Sequence, residues 1–437
     1  MKIFFILLFF FLTSCSSKKS NLEIDVTQLK KEGITILQNN NLPNKPLESS
    51  NSINEVMLYR ESDYKKLINN QYPAKYYSSF VVPQKIDIKF SILKKDNNFS
   101  NINSNYFKRK VVSYNDKFIY GDDTSNIFIV DENLQLIKKF SIYNKNNFKN
   151  YYFNYSLIVH NDLLYVTDNL GGIYCFSLKD YSLLWKNNFD VPFLSNIEIH
   201  KNSIYVTNAN GKIYSFNLSD GKQNWSFETG TEIIKTNNSY KILIYNNKLL
   251  FSNDLGFLYC IDLESQSLLW SFNFLQSINS NTFLFELADL VLENDNLYLA
   301  SSFGEFFKIN LNNGKILWSI QGISSIVSPV INPKTVLIAD KDNHLIIFDK
   351  EQGKILYKNS FSNFSLKNKS SFVINNIFLS FDKIYLTSIN GYLLIIKSSD
   401  LKNLEIKKIA DSINSNIVVN KSNIFFLGEK GYFYKLQ

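Results

Sequence analysis

The sequence predicts an all-β chain built from eight copies of one four-stranded sheet, and three observations carry that expectation. Apolar residues make up 45% and aromatics 15%, with 37 Phe and 26 Tyr, a composition that favours strands over helices. A Gly-to-Trp phrase recurs: GGIYCFSLKDYSLLW from Gly171, GKIYSFNLSDGKQNW from Gly211, GFLYCIDLESQSLLW from Gly256 and GEFFKINLNNGKILW from Gly304. With weaker copies anchored at Asn126, Asn343, Gly391 and Gly431, successive anchors stand 39 to 48 residues apart. That is the length of a four-stranded propeller blade, so the expectation is an eight-bladed β-propeller. A ring of repeats also relieves the limit that makes a single core stop growing near about 250 to 300 residues.

The N-terminus carries a separate message. Lys2 precedes an apolar run from Ile3 to Leu12, long enough for a signal-peptide core and shorter than the roughly 20 residues that span a bilayer. It ends in Leu12-Thr13-Ser14-Cys15, which resembles a bacterial lipobox, with Cys15 as the lipidated residue. Ser16, where an Asp would favour retention at the inner membrane, is compatible with transfer to the outer one. Residues 1–14 therefore read as a lipoprotein signal peptide and 15–84 as lipid anchor and mostly flexible tether, rich in Ser, Asn and Lys. Within it, VMLYRESDYKKLI from Val56 has the pattern of a short helix. Residues 85–437 read as the propeller.

Inside each unit the local chemistry repeats. A strand such as SIYVTNA or KIYLTSI is followed by a turn of Asx, Ser or Gly, for example Asp168-Asn169-Leu170-Gly171 or Asn208-Ala209-Asn210-Gly211, residues that tolerate positive φ. Fourteen positions beyond the anchor stands a large ring: Phe140, Trp185, Trp225, Trp270, Trp318 and Tyr357, with Glu405 as the exception in the seventh unit. A ring shared by most blades at one register fills the seam between blades, where it buries roughly 150–250 Å². The eighth unit ends after its third strand. An open edge invites aggregation, so the spare strand Ile86 to Ile92 is expected to complete the last blade and close the ring.

Candidates for chemistry are few. Cys175 and Cys260 fall at matching positions of non-adjacent units and read as small buried hydrophobes rather than a disulfide. His160, His200 and His344 lie in separate units without metal-ligand or triad spacing, so no metal and no cofactor are expected. The net charge of +8 comes without a basic run, which speaks against nucleic acid as a partner.

The phrase G-x-[IL]-Y-x-[FI]-x-L-x₆-W is similar to the quinoprotein-type propeller repeat. Together with the lipobox and eight units it resembles the BamB family, the propeller subunits of the β-barrel assembly machinery. The resemblance implies a non-enzymatic, lipid-anchored periplasmic scaffold that binds the barrel-inserting outer-membrane subunit and unfolded outer-membrane proteins. By position it implies partner contacts at Ile233, Ile234 and Lys235 and at Glu286 and Asp289. Lys235 stands where the family has Arg, giving a point charge in place of a bidentate fork. Two alternatives remain: a propeller binding another envelope ligand, and a pyrroloquinoline-quinone dehydrogenase. Such enzymes carry an adjacent Cys pair that this sequence lacks.

Overall fold

In the computed structural model the described residues are 35–36, 81–82, 92–96, 109–144, 148, 151–229, 240–253, 255–273, 286–361, 372–380, 382–428 and 431–436. They form eight antiparallel sheets in which consecutive strands are neighbours. Blade 1 spans 112–141, blade 2 155–188, blade 3 198–227, blade 4 242–273, blade 5 291–321, blade 6 330–360, blade 7 374–408 and blade 8 418–436. Strands are called A to D in chain order within a blade. The A strands of successive blades approach one another, whereas the D strands carry most exposed residues, as in Leu136–Ser141 and Leu183–Asn188. A therefore lies at the centre and D at the rim.

The two kinds of hairpin use different residues. Four A–B turns are two-residue Asx loops with both φ values positive: Asn115-Asp116, Asn161-Asp162, Asn246-Asn247 and Asn294-Asp295. That backbone matches the right-handed twist of the flanking strands. The B–C turn is held by a buried side chain at a fixed register. Asp168 Oδ1 accepts the amides of Leu170 and Gly172, Asn208 Oδ1 those of Asn210 and Lys212, and Asp340 Oδ1 those of Asp342 and His344. In blade 1 the holder is Asp122, accepting from Thr124 and Asn126, so the positive-φ anchor there is Ser125 (φ 72°) and not Asn126.

The core is a ring of eight apolar clusters, each shared by two neighbouring blades. The repeated aromatics lie in these seams. Trp270 packs between blades 4 and 5, where its indole N–H donates to the Leu311 carbonyl at 2.9 Å. Trp318 does the same between blades 5 and 6, to Lys350 O at 3.2 Å. Tyr357 lies between blades 6 and 7, while Trp185 and Trp225 sit half-buried in the seams after blades 2 and 3. Glycine of the next blade's C–D turn closes over the indole: a Cβ on Gly353 (φ +67°) would meet Trp318 Cδ2 at 2.8 Å. Phe140 packs against Phe176 across the seam of blades 1 and 2, with ring centroids 4.7 Å apart and planes inclined at 41°. It is two residues beyond the position pairing with Ile129, which is Lys138 and corresponds to the Trp register elsewhere.

Closure differs in detail from the sequence expectation. The strand that pairs with Phe433–Leu436 and completes blade 8 is Ile92–Asp96, not Ile86 to Ile92; residues 83–91 lie outside the described residues. The closing strand is a rim strand, so its sequence ILKKD need not alternate, and the alternating stretch upstream was the wrong guide. Two further strands precede it. Thr35–Ile36 pairs in parallel with the D strand of blade 4, and Val81–Val82 in parallel with the A strand of blade 7.

Candidate interaction face

B–C turns and the connections from D to the next A emerge on one face of the ring. The entry to each A strand sits at the inner rim of that face, tied to its neighbour. Asn196 clamps Ile242, accepting its amide at 3.2 Å and donating to its carbonyl at 3.0 Å. Asn416 makes the same clamp on Val111 across the closure joint, at 2.8 and 3.1 Å. These side chains replace strand pairing where blades converge, which fixes the inner rim as a rigid platform.

Beside the first clamp lies a charged cluster. Lys241 Nζ donates to Asp289 Oδ1 at 2.8 Å, and Ser328 Oγ to Asp289 Oδ2 at 3.1 Å. One residue before strand A in blade 4 is thereby joined to the approaches of strand A in blades 5 and 6. Burial alone would lower the Lys241 ammonium; the Asp289 carboxylate, aided by Glu286, outweighs it and leaves the pKa raised. Asp289 remains largely exposed, so the cluster presents a fixed carboxylate to solvent with its counter-charge beneath. Glu286 is held by its backbone to Ser302 and is half-buried.

Across the ring the same face holds a second polar group. Tyr174 OH donates to Tyr143 OH at 2.7 Å, which donates to Asp168 Oδ2 at 2.8 Å. Burial pushes all three groups upward, overcoming the amide and hydroxyl donors that favour the Asp168 carboxylate. Arg109, 5% exposed, ties blades 8, 1 and 2 together. Its backbone pairs with Asn414 and Ser415, its guanidinium donates to the Phe153 carbonyl, and the Asp123 and Asp122 carboxylates oppose the lowering of its pKa by burial.

Among the described residues Asp340, Asp342 and His344 bring ligand atoms within 4.8 Å of one another. Asp340 is the B–C turn holder of blade 6, and its oxygens already accept two amides and face His344 Nδ1 at 2.8 Å. The geometry is that of the repeated turn. The other His residues are also tied to neighbours, His200 to Asn247 and His160 to Asn161. Cys175 and Cys260 are free, fully buried and in different seams, with burial raising their thiols to about 11 and about 12.

Of the residues implied by the family resemblance, Glu286 and Asp289 lie on this face; Ile233, Ile234 and Lys235, like Cys15, lie outside the described residues. Lys241 was missed. Its signal was a lysine set immediately before an apolar A strand in a unit whose successor has Asp at the matching place.

A sequence profile described as outer membrane protein assembly factor BamB matches residues 152–359 and 254–435, together well over half of the chain. The chain belongs to the BamB family. BamB from Moraxella catarrhalis superposes with a TM-score of 0.63 at 12% identity, covering 79% of this chain and 99% of that one. Sqt1 from Saccharomyces cerevisiae gives 0.62 at 11%, with coverage of 79% and 98%. A quinohemoprotein alcohol dehydrogenase from Comamonas testosteroni gives 0.61 at 10%, covering 79% and 76%. At these identities the structural likenesses speak for the ring alone, and family membership rests on the profile. No curated protein sequence matches.

Proposed function

We propose that this chain is a non-enzymatic scaffold of the outer-membrane β-barrel assembly machinery, lipid-anchored through Cys15 at the periplasmic face of the outer membrane. It binds the barrel-inserting subunit and assists delivery of unfolded outer-membrane proteins. The observation that carries the reading is the family match over most of the ring, with a propeller BamB as a structural relative. The site chemistry agrees. The Lys241–Asp289–Ser328 cluster joins three blade entries on a rigid rim and offers a carboxylate that does not have to reorganise on binding. Among the described residues, other polar groups on this face serve as clamps and turn holders, such as Asn196 and Asp168. Each His is engaged with Asn or Asp, and the body cysteines sit apart, without the adjacent pair of the quinone enzymes. These features support a scaffold over a dehydrogenase.

Binding of the purified chain to the periplasmic region of the barrel-inserting subunit tests this. Wild type binds, and Asp289→Lys, which places two ammonium groups together, weakens binding by at least about tenfold without unfolding the ring. Absence of binding by the wild type, together with a quinone absorbance in protein isolated from its host, overturns the reading.

A further inference from the structure

Every propeller presents its D strands as a ring of open edges, and an open edge is a template for another strand. Here the eight edges are not alike. The outermost strands of blades 1, 2, 6, 7 and 8 each carry lysine, from Lys138 in blade 1 to Lys94 in blade 8. Lysine on an edge is a device against foreign pairing. The outermost strands of blades 3, 4 and 5, QNWSF, SLLWSFN and ILWSIQ, carry no charge at all. They are consecutive, so one arc of the rim lacks the protection that the rest has.

The middle of that arc is where a strand is docked. Thr35 lies opposite Trp270 and Ile36 opposite Ser271, in parallel. The docked pair thus lies against two of the seven residues of Ser267–Asn273. The sequence around the docked pair, GITILQ from Gly33, is β-prone and uncharged. A two-residue ladder is weak, because the net gain from a hydrogen bond is comparable to the cost of ordering the residue that makes it. The indole of Trp270 is anchored inward on Leu311, so the edge keeps its shape whether or not a strand lies on it.

We propose that the outer edge of blade 4 is a strand-docking edge whose resident occupant, Thr35–Ile36, is a removable clip. When the clip leaves, an extended segment of a second polypeptide takes the same parallel register. Recognition is through the backbone, with uncharged, β-prone sequence favoured and the lysine-bearing edges of blades 1, 2, 6, 7 and 8 excluded. The clip thus shields an aggregation-prone edge in the resting protein and makes its exposure conditional.

Hydrogen exchange on the full chain decides this. Proline has no amide to give to a ladder, so Thr35→Pro combined with Ile36→Pro removes the clip without touching the ring. Exchange in 267–273 is expected to accelerate by about tenfold, with 183–188 of blade 2 unchanged as the internal reference. A synthetic peptide of residues 31–40, KEGITILQNN, added at millimolar concentration to the variant, then restores slow exchange in 267–273 only. Unchanged exchange in the variant overturns the proposal. So does a peptide that protects no strand, or that protects the lysine-bearing edges equally.

Discussion

Replacement of Trp270 tests the physical role assigned to the repeated aromatic. The side chain is 1% exposed, lies in the cluster shared by blades 4 and 5, and spends its only polar group on the Leu311 carbonyl of the neighbouring blade at 2.9 Å. Trp270→Ala opens a cavity at a seam that can collapse only by moving a whole blade, so the cost is about 3–5 kcal/mol. Trp270→Phe keeps most of the volume and leaves the carbonyl buried without its donor, at about 1–3 kcal/mol. With a urea slope of about 3 kcal/mol/M, the alanine variant lowers the unfolding midpoint by about 1–1.7 M. Trp225, half-buried in the seam of blades 3 and 4, leaves a smaller void, and Trp225→Ala loses about half as much. Urea titration followed by far-ultraviolet circular dichroism reads both. A shift below about 0.3 M for Trp270→Ala, or a larger loss at Trp225 than at Trp270, would refute the seam assignment.

Other consequences follow from the same structure. Gly353→Ala forces a positive φ and a Cβ at 2.8 Å from the Trp318 ring, and costs about 1–3 kcal/mol in a thermal melt. Arg109→Ala takes the guanidinium donor from the Phe153 carbonyl in a buried joint, and loses about 1–3 kcal/mol with the first opening at the junction of blades 8 and 1. The Asp168 carboxyl is raised in the folded state, so it binds its proton more tightly folded than unfolded and reduces stability as pH climbs above the unfolded value. Asp168→Asn, which keeps the acceptor that Asn208 supplies in blade 3, is therefore at least as stable as wild type at pH 7, and the difference narrows at pH 4 in matched melts. Buried thiols at about 11 and about 12 stay protonated at pH 8, so iodoacetamide modifies neither Cys175 nor Cys260 until urea unfolds the chain.

Blade number, strand order and the aromatic seams were legible because they repeat: one register read eight times averages out local noise. What was illegible lies where repetition stops. Ser125 takes the glycine position in blade 1, and a shorter C–D turn brings Lys138 to the Trp register, so a count from Asn126 overshoots that register by two residues and lands on Phe140. The closing strand Ile92–Asp96 is the outermost strand of its blade, a place where no alternating pattern is required. The charged cluster was half legible. Asp289 and Glu286 came from family resemblance, whereas Lys241 becomes significant only when the ring brings the entries of blades 4, 5 and 6 together. The pairing of Thr35–Ile36 with blade 4 has no signal beyond a few β-prone residues in a polar stretch, because two residues are too short a run to show periodicity.

The assembly role is tested most directly by affinity capture of the full-length chain from detergent-solubilised cell envelopes, with its co-purifying proteins identified by mass spectrometry. The account predicts that the barrel-inserting outer-membrane subunit is recovered in stoichiometric amount, and that this recovery falls with Asp289→Lys. Recovery of the chain alone, or with an unrelated envelope complex at the same yield for wild type and variant, would contradict it.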